Sequence, residues 1–204
     1  MPLSHDHKLL MVHIPKNAGT AIEKCLNMTG TGHFKWSMYA QKHPLEWKEY
    51  KSFSVLRDPL DRFVSAYNYA TMEKSYWHST DPSDKKTYGK HIDYDTCVKY
   101  DLNSIVEPWL AGEIKLQHPS WWTQHEWINN DGSVAVNYLA SFNRIGEAIT
   151  LLAPNAKLEK INASTSKKKD QLTDQSKKLL LAHYDADADL YAQLGEEALA
   201  EVSQ

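Results

Sequence analysis

The chain has 204 residues and a net charge of -3 at neutral pH, enough for one domain with a real core and short for two. The slight acidity argues against a general nucleic-acid binder, and no apolar run approaches the length of a membrane span. Residues 1–8 lack the apolar stretch of a signal peptide, and Cys25 and Cys97 alone give no disulfide framework, so a reducing, cytoplasmic location is expected.

In chain order, residues 1–8 read as a flexible tail carrying His5 and His7. Leu9 to Ile14 is an almost unbroken apolar run that suits a parallel strand buried on both faces. Ala18, Ile22, Cys25 and Leu26 recur at helical spacing, so a helix follows a short polar loop. Residues 29–51 are mixed, with glycines at 30 and 32 and Pro44. Ser52 to Leu56 reads as a second strand, and Asp58-Pro59 opens a helix whose buried stripe is Leu60, Phe63, Val64 and Tyr67.

Residues 78–91 are polar and read as an exposed loop, followed by short helices around 95–111. Asp131-Gly132 marks a turn into a short strand, and a helix is expected over 143–152. The segment 158–164 reads as a last strand, 164–171 as a basic loop, and 173–184 as a helix opened by Thr173 or Asp174. No internal repeat or linker interrupts residues 1–204, which read as a single domain. Strands alternating with helices imply an α/β layered fold with a mostly parallel sheet flanked by helices.

The loop in "MVHIPKNAGTAIEKCL" carries the first chemical signal. A strand, a polar turn and a helix start can hold an anion on outward N–H groups. Gly19 allows close approach, Thr20 offers a hydroxyl, and Lys16 supplies a point charge. The Walker pattern differs, because there the lysine follows the last glycine and a serine or threonine binds magnesium. The second signal is "FSVLRDPLDRFVSAYNY". Arg57 ends a strand, and Ser65 lies off the apolar stripe of the next helix. An arginine fork and a hydroxyl can grip a second phosphate.

Together these stretches resemble the sulfotransferases that use 3′-phosphoadenosine 5′-phosphosulfate (PAPS). "HIPKNAGTAIE" is similar to their 5′-phosphosulfate loop and "VLRDPLDRFVSAY" to their 3′-phosphate motif. The branch with carbohydrate sulfotransferases and short bacterial relatives fits best. "DGSVAVNYLASFNRIGEA", "KINASTSKK" and "HYDADADLY" resemble its later segments. Asn17 stands where threonine is usual and Ala21 where serine is usual, so one hydroxyl contact to the phosphosulfate is expected to be missing.

The resemblance implies a P-loop-NTPase-like sulfotransferase fold and in-line transfer of a sulfuryl group from PAPS to an acceptor hydroxyl, leaving the 3′,5′-bisphosphate (PAP) and using no metal. Pro15, Lys16, Asn17, Ala18, Gly19, Thr20 and Ala21 would hold the 5′ end, with Lys16 neutralising charge on the leaving oxygen. Arg57 and Ser65 would hold the 3′-phosphate. Arg144 on the adenosine side and Lys168 in the late basic loop are further cofactor candidates. His33, in "TGHFKWS", is the expected general base, with His43 in reserve. Trp36, Trp77, Trp121 and Trp122 border the expected acceptor cleft. A carbohydrate is the favoured acceptor and a phenol or other small hydroxyl compound the next; no nucleic-acid partner is expected. Two other readings stay open. One is an ATP-dependent P-loop-like kinase, although "GTAIEK" lacks its lysine and magnesium hydroxyl; the other is a non-catalytic nucleotide-binding module.

Overall fold

The computed structural model describes residues 1–30, 32–74, 89–156, 158 and 168–202. The elements begin with β1 (Leu3–Ser4), β2 (Leu9–Val12), α1 (Gly19–Cys25), α2 (Trp36–Lys42), α3 (Pro44–Glu49) and β3 (Lys51–Leu56). Next come α4 (Pro59–Ala70), α5 (Tyr94–Cys97), α6 (Val106–Leu110), α7 (His125–Ile128), β4 (Asn129–Asn130), β5 (Ser133–Val134) and β6 (Tyr138–Ser141). The chain continues through α8 (Ile145–Leu152), α9 (Asp174–His183), α10 (Asp185–Leu194) and β7 (Leu199–Glu201). These elements fall into two compact units. The first comprises Met1–Asp58, Trp122–Ser164 and Ala186–Gln204; the second comprises Pro59–Trp121 and Thr165–Asp185.

The first unit is built on a five-stranded sheet of order β1-β2-β3-β6-β7. Its three inner strands are parallel, and both edge strands run antiparallel to their neighbours. The apolar run at 9–12 is unbroken because both faces of β2 are covered. Leu9 and Met11 join Ile22 of α1 and Ala148 and Ile149 of α8 in one core. Leu10 and Val12 join Tyr39 of α2, Trp127 and Ile128 of α7, and Leu190 and Leu194 of α10 in the other. The period-2 alternation of a strand thus sorts neighbouring residues into two helical layers. Full burial of each such aliphatic side chain contributes roughly 1.5–3 kcal/mol. Asp131 and Gly132, with φ of 48° and 91°, turn the β4–β5 hairpin with both central residues left-handed, as a type I′ turn requires.

In the second unit α4 begins at Pro59, where a proline fits the first helical turn. It is buried over more than the expected stripe: Arg62, Ser65 and Ala66 are buried along with Leu60, Phe63 and Val64, while Tyr67 is half-buried. Leu60, Phe63, Cys97, Val106, Trp121, Leu180 and Tyr184 share one core. Thr173 caps α9, its hydroxyl accepting from the Ser176 N–H at 3.2 Å. Asp93 anchors the loops around this core. Its carboxylate accepts from the N–H groups of Gln117 at 2.7 Å and His118 at 3.0 Å, and from the Trp121 indole at 2.8 Å.

Several sequence expectations change. Residues 3 and 4, inside the expected tail, form an edge strand with Leu3 paired to Leu10. The mixed stretch 29–51 contains two helices, and Pro44 starts the second, α3. The antiparallel edge beside β6 is β7, near the C-terminus. The polar loop over 78–88 and the expected strand at 158–164, apart from Leu158, lie outside the described residues, as does Trp77. No helix among the described residues is long and apolar enough to cross a membrane.

Candidate active site

The loop from Pro15 to Thr20 leaves the carboxyl end of β2, beside the ends of the parallel strands β3 and β6. Lys16 and Ala18 have φ of 72° and 64°, with Asn17 between them outside the left-handed region. Alternation of this kind turns successive N–H groups toward one concavity, an anion-binding nest. The N–H groups of Asn17, Ala18, Gly19 and Thr20 have no hydrogen-bond partner among the described residues. The Ala21 N–H donates to Ala18 O at 3.0 Å, so the cradle closes one residue earlier than the motif implies. Pro15 has no N–H to offer an anion. Holding two non-glycine residues left-handed costs on the order of 1–3 kcal/mol each, a strain that clusters where a ligand is gripped.

Arg57, at the end of β3, is buried and reaches into this loop. Its Nη1 donates to Lys16 O at 3.0 Å, and the guanidinium stacks over the Phe142 ring at 4.2 Å. Asn17 turns its side chain inward: Nδ2 donates to Val55 O and to Gln124 Oε1, each at 2.6 Å. Its contribution to a bound anion would therefore come from its main-chain N–H, while its amide fastens the loop to β3.

His33 stands at the rim, exposed, with Nδ1 2.9 Å from His13 O. A carbonyl can only accept, so Nδ1 carries the hydrogen and the neutral ring keeps its lone pair on Nε2. The His33 and His13 rings meet edge to face at 4.2 Å. His13 is buried, and its Nδ1 lies 2.7 Å from Glu23 Oε1 on α1. Its Nε2 faces Gly19, where an added Cβ would lie only 2.0 Å away. The glycine is thus required by the His13 ring, in addition to any approach of a ligand. His43, the reserve base, sits at the junction of α2 and α3, with Nδ1 3.8 Å from Glu46 Oε2.

The first unit brings Lys16, the 17–20 cradle, Arg57 and His33 onto one set of elements. Arg144 also belongs to it but is exposed, bonded to Glu147 and to the Glu196 carbonyl. Its pairing with Glu147 raises its pKa and lowers that of Glu147. Ser65 belongs to the second unit, on α4, where it is buried. Lys168 begins a 3-10 turn in that unit; Lys167 lies outside the described residues. Trp121 is core, only 2% exposed, whereas Trp122 is 39% exposed, with Lys35 Nζ 4.9 Å from its ring centroid. Trp36 and Trp47 line a pocket with Asn130, Ser133, Val134 and Ala135.

Sequence reading missed His13, Glu23, Gln124 and Asp187. His13 and Glu23 lie within the quoted motif at a spacing of ten, which brings a strand end against the following helix. Gln124 sits in no local pattern, and Asp187, although inside "HYDADADLY", has nothing local that marks its partner.

The first unit thus places a loop with two left-handed residues at the end of a parallel strand, with Lys16 in the loop and His33 against His13. The sequence matches the model of the Sulfotransferase family over residues 2–194. The chain belongs to that family and is a sulfuryl transferase. No curated protein matches the chain.

Proposed function

We propose that the donor is PAPS, that its 5′-phosphosulfate sits on the N–H groups of residues 17–20, and that His33 is the general base. The observation carrying this reading is the run of four N–H groups without described partners, beside Lys16 and Arg57. N–H groups around a helix start have no partner within the helix and, gathered by a left-handed backbone, form a ready place for an anion. Ser65 joins the reading through its place in the sequence motif, as the hydroxyl that holds the 3′-phosphate with Arg57.

In the transfer, the acceptor oxygen attacks sulfur as the bond from sulfur to the bridging phosphate oxygen breaks, and PAP leaves. His33 Nε2 takes the acceptor's proton. The Lys16 ammonium meets the charge growing on the bridging oxygen, so it stabilises the transition state more than the ground state. The acceptor is an alcohol, with a carbohydrate favoured over a phenol; Trp122, exposed beside Lys35, is a surface on which either could stack.

Calorimetry without magnesium tests the donor. PAP should bind clearly more tightly than AMP or ATP, and equal affinity for AMP would remove the 3′-phosphate assignment. At saturating PAPS, Lys16→Ala should lower turnover by about 100-fold or more, the scale of one lost electrostatic contact to the transition state. A change confined to apparent affinity would remove the leaving-group role. Arg57→Ala should act mainly on PAP affinity.

A further inference from the structure

The two cofactor motifs are joined by a side chain that belongs to neither. Gln124 is wholly buried, just before α7. Its Oε1 accepts from Asn17 Nδ2 at 2.6 Å and from the Arg57 N–H at 3.0 Å, and its Nε2 donates to Arg57 O at 2.8 Å. One amide thus grips the loop after β2 and both main-chain polar groups of Arg57, the residue that follows β3. The main chain that carries this side chain is itself held: the carboxylate of Asp187, also wholly buried, accepts from the main-chain N–H groups of Gln124 at 2.7 Å and His125 at 2.8 Å. Asp187 comes from α10, within the "HYDADADLY" segment.

We propose that Gln124, anchored by Asp187, is a positioning residue that fixes the 15–20 loop and Arg57 as one rigid receptor before any ligand arrives. Lys16 and Ala18 hold a left-handed backbone that an untethered loop would relax. Arg57 Nη1 closes the circuit on Lys16 O, so that loop, arginine and amide form a ring of hydrogen bonds. Here Asn17, in place of the usual threonine, supplies the donor that Gln124 receives. The inference rests on the reading of this loop as the donor site, and its test separates the two.

The test uses ligand-free hydrogen exchange at the hydrogen-bonded Ala21 and Ile22 amides, both of which donate to Ala18 O, together with PAP calorimetry, on the whole chain. In Gln124→Ala the Ala21 and Ile22 amides should exchange at least about tenfold faster, the effect of losing one to two buried hydrogen bonds that hold the loop, with β6 amides unchanged. PAP affinity should fall about 10- to 100-fold. Gln124→Glu keeps the oxygen that receives Asn17 and should restore most of the loop protection, which also covers failure of the alanine variant to fold. Asn17→Ala combined with Gln124→Ala should lose less than the sum of the two single variants, because the bond between the two side chains is lost in either one, while the Asn17 bond to Val55 O is lost only with Asn17. Wild-type exchange in Gln124→Ala, or additive losses in the double variant, would overturn the proposal. Loosened exchange with a wild type that binds no PAP would uphold the clamp and remove the donor assignment instead.

Discussion

Each of the two units contains a pair of histidine rings in contact beside a carboxylate, and the two pairs are wired in opposite ways. In the first unit His13 and His33 meet at 4.2 Å, and each presents Nδ1 to an oxygen acceptor, the Glu23 carboxylate and the His13 carbonyl. In the second, His91 and His118 meet at 4.6 Å, and each Nδ1 receives a main-chain N–H, from Asp93 and Ser120 respectively. A neutral ring has one donor and one acceptor nitrogen. The first pair therefore keeps its lone pairs on Nε2, while the second has committed its lone pairs to the backbone. Asp93 is engaged likewise, by two N–H groups and an indole. The same residue types make a proton acceptor in one place and a brace in the other, and the direction of the Nδ1 hydrogen bond decides which.

The largest expected difference is catalytic. His33→Asn should cut turnover by roughly 100- to 10,000-fold, the span for a lost general base, with thermal stability and PAP affinity near wild type. His118→Asn, compared per folded molecule, should leave turnover unchanged. Near-normal turnover in His33→Asn with collapse in His43→Ala would move the base to His43.

The next effect is on stability and belongs to the other pair. Asp93→Ala strands three donors at once and should cost about 3 kcal/mol or more in urea unfolding, while Asp93→Asn, which retains one acceptor oxygen, should cost less. If Asp93→Ala instead abolished turnover at unchanged stability, the brace reading would be wrong.

Glu23→Gln should be milder. It leaves an oxygen for His13 Nδ1 but removes the charge, a loss of about 1 kcal/mol. A full loss of folding would show that the charged acceptor on Glu23 matters more than the ring contact with Gly19.

The smallest effect is read from Cys97, close to Asp93. Burial first, and then the charge of Asp93, push its thiol up to about 12. The protonated form is favoured in the folded chain. Below the ordinary thiol range the folded and unfolded chains both keep the proton, and Cys97 adds no slope to stability. As pH rises from 9.0 toward about 12, the unfolded chain loses the proton first, so stability falls. Cys97→Ala should flatten that alkaline slope. At pH 8, alkylation of Cys97 should proceed only as fast as unfolding exposes it, and rapid labelling of the native chain would show that the unit is open there.

What the sequence made legible follows from how local each interaction is. Lys16, Gly19 and Arg57 were readable because a strand end, a loop and a helix start come in one short stretch. The strands β2 and β3 were foreshadowed by the apolar runs at 9–14 and 52–56. β7 was not, since three residues carry little periodicity. α2 and α3 were hidden because Pro44 and the glycines at 30 and 32 read as punctuation, whereas the proline occupies the first turn of a helix, where its missing N–H costs nothing. Gln124 lies 107 residues from Asn17 and 63 from Asp187, so only folding reveals them as partners. Ser65 was expected to be free of the core by its position off the stripe, but α4 is buried on more than one side, and the stripe therefore does not mark its limits.

The close fit of Gly19 against His13 makes those two positions a coupled pair in any drift of this sequence. A side chain at 19 has no room while the imidazole is present, so a single Gly19→Ala change meets a steric barrier that a prior loss of the ring would lift. The reverse order is open: His13 can shrink first and leave a gap that a later residue at 19 could fill. The allowed mutational path therefore has a direction, and homologues of this chain that carry a side chain at position 19 should have given up the histidine at 13.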